Sequence, residues 1–97
     1  MWILRSSEPA DGSLIFRLRP GAVKTVGRAA GADFIVDAPL VSRLHCRITA
    51  GDDKLEVVDL SSTNGTFVND KKIDRAALQS GDRLRVGRVE LLVERQV

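Results

Sequence analysis

Three short polar stretches of this 97-residue chain carry side chains that could bind an anion. Each ends or follows an apolar run, and in chain order they are Gly27-Arg28, Ser42-Arg43-Leu44-His45 and Ser61-Ser62-Thr63-Asn64-Gly65-Thr66. Arginine offers a planar fork of donors that suits phosphate, and serine and threonine hydroxyls add neutral donors. The Asn-Gly pair signals a tight turn that exposes backbone N–H groups. Because no residue here is a clear nucleophile with its base, the pattern indicates that phosphate is recognised and not transferred.

The order and separation of these stretches resemble a forkhead-associated (FHA) domain, a family of modules that read phosphorylated motifs. The resemblance covers nearly the whole chain and implies one FHA domain over residues 1–97. The fold it implies is an all-β, antiparallel β-sandwich of about ten to eleven short strands. The implied function is binding of a phosphothreonine-containing segment of a partner protein, downstream of a Ser/Thr kinase, without cofactor or catalysis.

The same resemblance assigns ligand roles to individual side chains. Residues implied to bind the phosphopeptide are Arg28, Ser42, Arg43, Ser62, Thr63 and Asn64. Among them, Arg28 and Ser42 would contact the phosphate directly. Thr63 would line the phosphothreonine pocket, and Asn64 would hold the main chain of the bound peptide.

Other residues would support or tune the site. Structural support is implied for Gly27, His45, Gly65 and Thr66. In the family, the loop before Ser42 reads the residue three positions after the phosphothreonine. Here that loop includes Leu40 and Val41 and has no charge of its own, so we expect an apolar residue to be preferred there.

The single histidine also invites a catalytic or metal-binding interpretation. A Ser-His-Asp triad of Ser42 or Ser62 with His45 and Asp59 is formally available, but no Gly-x-Ser-x-Gly elbow accompanies it. Cys46 points to the opposite face of the predicted strand, so it cannot share a metal ion with His45. Cys46 is also the only cysteine, which excludes an internal disulfide. The sequence therefore predicts no enzyme and no metal, with His45 a buried brace for Ser42, as the resemblance implies.

Charge and composition limit the other classes of function that the chain could have. The 15 Lys and Arg residues against 13 Asp and Glu residues leave a net charge of +2, a weak basis for nucleic-acid binding. The apolar start at residues 1–4 is too short for a signal peptide or a membrane span, so a cytoplasmic protein is expected. The chain is also expected to be a monomer. Three alternatives stay open: a basic nucleic-acid module, an FHA fold used as a structural or oligomerisation module, or a nuclear DNA-repair adaptor module. The last of these rests on a start similar to the N-terminal domain of nibrin-type adaptors.

Strands must position all of these side chains, because hydrophobic alternation with period two recurs throughout the chain. The predicted strands are residues 2–5, 14–18, 22–26, 34–36, 45–49, 55–60, 66–68, 72–73, 84–86 and 89–93. The four aromatic residues lie within these runs and are expected in the core. Residues 74–79 are the one helical candidate, and we expect a loop there because the run is too short for a stable helix. Turn signals separate the strands, including residues 11–13, 64–65, 69–70 and 87–88.

Overall fold

The computed structural model of the chain describes residues 1–6 and 14–96. Those two ranges contain eleven strands and no helix, so they hold no helix that could span a membrane. The strands are β1 (Trp2–Ser6), β2 (Ile15–Leu18), β3 (Val23–Gly27), β4 (Phe34–Ile35), β5 (Cys46–Ala50), β6 (Leu55–Asp59), β7 (Thr66–Val68), β8 (Lys71–Ile73), β9 (Arg75–Leu78), β10 (Arg83–Val86) and β11 (Val89–Arg95). The turn predicted at residues 11–13 lies outside the described residues.

The strands form two sheets that pack face to face. One sheet has six strands in the order β2-β1-β11-β10-β7-β8, and the other has five in the order β4-β3-β5-β6-β9. The predicted all-β sandwich is confirmed. Its pairs are antiparallel with one exception, since β3 and β4 run parallel.

The parallel pair brings the loops that follow β3 and β4 to the same end of the sandwich. Val26 lies opposite Phe34 and Gly27 lies opposite Ile35, so both strands end on one side. Thr25 and Asp33 fix the short connection between β3 and β4. The Asp33 carboxylate accepts from the Thr25 N–H at 2.9 Å and from the Thr25 hydroxyl at 3.1 Å. Parallel pairing therefore allows the loops of the first two polar stretches to converge.

Residues 75–78 were expected in a loop, and that prediction is wrong. They form β9, which pairs antiparallel with β6 and places Val57 opposite Ala76. Leu78 is 1% exposed, whereas Arg75 and Ala77 are exposed. Alanine has little intrinsic preference for strands, so burial against the core decides the conformation here and local propensity does not.

The core lies between the sheets, and three of the four aromatic side chains contribute to it. Trp2 is 1% exposed, and its indole N–H donates to the Gly51 carbonyl at 2.8 Å. Phe16 and Phe34 are half-buried against the core, and their stacked rings, with centroids 4.5 Å apart, join the two sheets at one edge. The prediction that all four aromatic residues lie in the core is wrong for Phe67, which lies on the outer face of its sheet. The Arg85 guanidinium carbon lies over its ring, 4.1 Å from the ring centroid.

Aliphatic side chains complete the core. Its buried members besides Trp2 are Leu4, Leu18, Val26, Val36, Val41, Cys46, Ile48, Ala50, Leu55, Val57, Val68, Leu78, Leu84, Val86, Val89, Leu91 and Val93.

Candidate functional site

The candidate site lies at one end of the sandwich, which we call the loop end. Four connections meet there: residues 28–33 after β3, 36–45 after β4, 60–65 between β6 and β7, and the turn at 87–88 between β10 and β11. The first three contain the three polar stretches. Strand directions therefore place all three stretches together, as the resemblance implied.

Gly27 and Arg28 begin the first of these loops. Gly27 is buried, and a Cβ atom there would overlap the Arg43 carbonyl, so only glycine permits the close passage of the two chains. The Arg28 N–H then donates to the Ser42 carbonyl at 2.9 Å, and the Ala29 N–H donates to the Arg43 carbonyl at 3.1 Å. The Gly-Arg pair thus fastens its loop to the loop that carries Ser42.

The Arg28 guanidinium is anchored at one nitrogen and open at the others. Its Nε–H donates to the Val41 carbonyl at 3.1 Å. No described residue accepts a hydrogen bond or forms an ion pair with its two Nη groups. Since the side chain is exposed, these donors face solvent at a fixed position and suit a bidentate oxyanion.

Ser42 is held from both its backbone and its side chain. Its backbone N–H donates to His45 Nδ1 at 3.0 Å, and its Oγ accepts from the Thr63 N–H at 3.0 Å. Within the described part of the chain, no acceptor takes the hydroxyl proton of Ser42. That proton therefore remains available to a ligand oxygen, next to Arg28.

His45 is fully buried and connects two loops. Because Nδ1 accepts from Ser42, the ring proton lies on Nε2, which donates to the Gly65 carbonyl at 2.8 Å. Both ring nitrogens are thus occupied by backbone groups. The hypothetical triad is absent, since His45 bonds neither serine hydroxyl.

Asp59 organises the turn at residues 60–65, a role that the sequence analysis missed. Its carboxylate accepts from the Ser62 N–H at 3.2 Å, the Ser62 hydroxyl at 2.5 Å and the Thr66 hydroxyl at 2.7 Å. Partial burial raises the pKa of the Asp59 carboxyl, but the bonds from the Ser62 and Thr66 side chains and the Ser62 N–H outweigh it and hold that pKa below its ordinary value.

Ser62 does not fit the ligand role expected for it. Its hydroxyl donates to Asp59 and accepts from the Gly65 N–H at 3.0 Å, so its proton and one lone pair serve the turn. Gly65 has a φ of +89°, which glycine adopts without strain. Ser62, Gly65 and Thr66 together shape the turn that presents Thr63 and Asn64, both of which are exposed.

Arg28 borders a first depression of about 320 Å³ that brings several expected ligands together. Its lining residues are Arg28, Pro39, Leu40, Val41, Ser42, Thr63 and Asn64. The Asn64 amide closes one side by donating to the Leu40 carbonyl at 3.1 Å. Asn64 therefore fixes the loop at residues 39–41 as well as facing the depression.

Leu40 and Val41 do not share the role expected of the specificity loop. The Val41 side chain packs in the core and is 2% exposed, so it cannot read a ligand. Leu40 is 46% exposed and has a φ of +71°, a strained conformation for a leucine. Of these two residues, only Leu40 presents its side chain to a ligand.

Gly87 supports this loop from the other sheet and was recognised in the sequence only as part of a turn. It has a φ of +60°, and a Cβ there would lie 3.1 Å from the Leu40 carbonyl carbon and 3.0 Å from Val41 Cγ2. The turn at 87–88 therefore abuts residues 39–41 and places the exposed Arg88 nearby.

Arg43 lines a second depression, of about 390 Å³, and not the first. Its lining residues are Arg28, Ala29, Asp37 and Arg43. Of the residues that the structure describes, Arg28 alone lines both depressions. The expected ligands thus divide between two neighbouring surfaces that meet at Arg28.

In the described part of the chain, the cysteine is not reactive and the acidic residues do not form a metal site. Cys46 is fully buried, and burial, with the nearby Asp59 charge, raises the pKa of its thiol to about 12. A thiol with that pKa is inert near neutral pH. Residues 1–6 and 14–96 contain no group of three or more His, Cys, Asp or Glu side chains that could hold a metal ion.

Comparison with known proteins connects this geometry to one family. The family model for the FHA domain matches residues 24–87, which include all three polar stretches. Over 71 residues, the chain is 35% identical to the glycogen accumulation regulator GarA of Mycobacterium tuberculosis, covering 73% of this chain and 44% of GarA. The chain spans less than two thirds of the length of the curated relatives it matches first.

Two solved structures share the fold over nearly their whole length. The FHA domain of the CT664 protein from Chlamydia trachomatis superposes with a TM-score of 0.91 at 26% identity, covering 99% of this chain and 98% of that one. A domain from a study of phosphothreonine-dependent FHA interactions has a TM-score of 0.88 at 30% identity, covering 99% and 97%. The chain therefore belongs to the FHA domain family.

Proposed function

We propose that this chain is a phosphothreonine-dependent protein–protein interaction module that binds a phosphorylated segment of a partner protein. The observation that carries the proposal is the Arg28 guanidinium, which is anchored to the Val41 carbonyl and has open Nη groups beside the Ser42 hydroxyl. Family membership and the phosphothreonine-dependent interactions of a 30%-identical structural neighbour support it.

The proposed phosphate site combines one full charge with oriented neutral donors. A phosphate carries about −1.5 to −2 charge at neutral pH and has three acceptor oxygens. Arg28 would take two oxygens with its Nη groups, and the Ser42 hydroxyl would donate to the third. Arg43, the residue after Ser42, would add a second positive charge at the rim of the phosphate site. The Arg28 and Ser42 side chains are held in place before the ligand arrives, which lowers the ordering cost of binding.

The peptide would lie extended across the first depression. Asn64 has an amide oxygen and a second amide hydrogen that make no hydrogen bond to any described residue, and these could bond the peptide main chain on both sides of the phosphoresidue. The threonine methyl group would enter the space near Thr63. Burying one methyl contributes about 0.8 kcal/mol, so we expect phosphothreonine to be preferred over phosphoserine about four-fold.

Such a module has no catalytic step, and its output is assembly controlled by an upstream Ser/Thr kinase. The relative GarA is a regulator of glycogen accumulation, which supports a regulatory role and does not support an enzymatic one. The partner protein and the kinase would determine the pathway.

A peptide titration tests the proposal. Calorimetry with a library of phosphothreonine peptides should give binding. The phosphoserine version of the best peptide should bind about four-fold more weakly, and the unphosphorylated and glutamate versions should bind weakly or not at all. A glutamate carboxylate has less charge and a planar shape, so it cannot satisfy three donors. Equal binding of phosphorylated and unphosphorylated peptides would contradict the proposal and favour a structural or oligomerisation module. Binding to DNA with a steep salt dependence, and not to phosphopeptides, would favour a nucleic-acid module.

A further inference from the structure

The second depression holds an acidic side chain, Asp37, beside two arginines. The proposed phosphate site uses the arginines and leaves Asp37 without a role. Asp37 and Arg43 are exposed and line this depression with Arg28 and Ala29. Among the described residues that line the first depression, none is acidic. A ligand that binds at Arg28 therefore meets neutral and apolar groups on one side and fixed charges on the other.

The backbone fixes the place of Asp37. The preceding residue, Val36, is 1% exposed, and its N–H donates to the Gly27 carbonyl at 2.8 Å. This bond continues the parallel pairing of β3 and β4 past Gly27 and Ile35. Asp37 follows Val36 directly and lines the second depression together with Ala29. Asp37 is thus held beside the Gly-Arg stretch by a buried neighbour.

The charged groups of this depression do not neutralise one another. Among the hydrogen bonds and ion pairs of the described residues, none involves the Asp37 carboxylate or the Arg43 guanidinium. Their charged atoms therefore lie more than 4 Å apart, the limit for an ion pair. An exposed carboxylate without a partner, at the edge of a binding surface, is free to pair with a ligand.

Charge counting indicates the sign of that ligand. A phosphate dianion at Arg28 contributes −2, the two arginines contribute +2, and Asp37 contributes −1. The loaded site thus has a net charge of about −1, which a positively charged side chain would neutralise. A negatively charged side chain could pair with Arg43, but it would make the net charge of the site more negative, about −2.

We propose that Asp37 is a specificity-determining residue that selects a lysine or arginine of the phosphopeptide in the second depression. This inference rests on the proposed function. The loop at residues 39–41 lines the first depression and is expected to read a residue after the phosphothreonine. The second depression, on the other side of Arg28, would then receive a residue before the phosphothreonine, and this is the residue that we expect to be basic. The two depressions adjoin at Arg28, which lines both, so an extended peptide whose phosphate binds Arg28 can reach both.

A positional peptide array tests this inference, with fluorescence anisotropy to measure affinities. Each of the five positions before the phosphothreonine is varied through lysine, alanine and glutamate. One position should prefer lysine over alanine by about two- to five-fold, the range of an exposed ion pair. In D37N this preference should disappear while overall binding persists. In D37K it should reverse toward glutamate at the same position.

Asp52 provides the matched control. It is exposed in the turn between β5 and β6, at the end opposite the site, so D52N removes the same charge without touching the depression. D52N should keep the lysine preference. Phosphopeptide binding with no lysine preference, or with a preference that D37N leaves intact, overturns this inference alone. Failure to bind any phosphothreonine peptide overturns both this inference and the proposed function.

Discussion

The hydroxyl of Ser42 accepts a hydrogen bond from the Thr63 N–H at 3.0 Å, and this bond joins two loops that are 21 residues apart in the chain. A hydroxyl that accepts a bond becomes a better donor through its own proton. The Thr63 contact therefore both positions Ser42 and polarises it toward a ligand oxygen. Ser62, by contrast, donates its proton to Asp59 within its own turn.

The different partners of the two serines predict different losses on substitution. S42A should lower phosphopeptide affinity by about ten-fold, because a donor to a charged group contributes about 1.5 kcal/mol or more. S62A should lower the free energy of unfolding by about 1–2 kcal/mol instead, because the turn loses two hydrogen bonds. Calorimetry and thermal denaturation measure the two effects. If S62A lost affinity with unchanged stability, Ser62 would contact the ligand directly.

Arg28 should be required for binding and dispensable for folding. R28A removes two charge-assisted bonds to the phosphate, each contributing about 1.5–3 kcal/mol, so affinity should fall about a hundred-fold or more. The exposed side chain adds little to the core, and the melting temperature should change little. Arg47 is a matched control, since it is exposed on β5 and lines neither depression. R47A should bind like the wild-type chain. An R28A variant that binds within a factor of two of wild type would show that the site is misplaced.

His45 should connect stability and binding. H45A leaves the Ser42 N–H and the Gly65 carbonyl without their buried partner, so the free energy of unfolding should fall by about 3 kcal/mol. Affinity should fall together with stability, because the Ser42 N–H loses the His45 ring nitrogen that holds Ser42 in position. Denaturant unfolding and calorimetry on one preparation measure both. Lost affinity at unaltered stability would indicate that His45 contacts the ligand itself.

Asp59 should make the fold sensitive to acid. A carboxyl whose pKa is lower in the folded state than in the unfolded chain stabilises the fold above the unfolded-state pKa of about 4, and this contribution is lost as the pH falls through the folded-state value. D59N should therefore be less stable than wild type at pH 7, with a smaller difference at pH 3. Urea unfolding at the two pH values checks this, with D52N as the control. An equal difference at both values would show that the ionised carboxylate of Asp59 is not what stabilises the turn.

Much of the fold and of the site followed from the sequence, because the strands alternate clearly and the three polar stretches lie between them. The part that could not be predicted depends on pairing between distant segments. The parallel pairing of β3 and β4 has no local signature, although it places Asp37 beside Arg28. Residues 75–78 become a strand because β6 offers an unpaired edge.

Side-chain partners were the other limit of the sequence. Ser42 and Ser62 are the same residue type in similar loops, and their roles differ only through Thr63 and Asp59. Adjacent residues also diverge in burial, since Leu40 is 46% exposed and Val41 is 2% exposed. Hydrophobicity alone cannot separate them, because a loop has no fixed period that assigns one side chain to the core.

Leu40 should be the main apolar reader of the residue three positions after the phosphothreonine. Its exposed side chain borders the first depression and should contribute about 1 kcal/mol to peptides with an apolar residue there, a preference of about five-fold. L40G should abolish that preference without lowering the melting temperature, because glycine adopts the φ of +71° without strain. L40A should also lose the preference but keep the strain. A peptide array varied at that position measures the selection. Strong selection for aspartate or glutamate by the wild-type chain would instead implicate Arg43 or Arg88, and no selection would show that Leu40 does not reach the peptide.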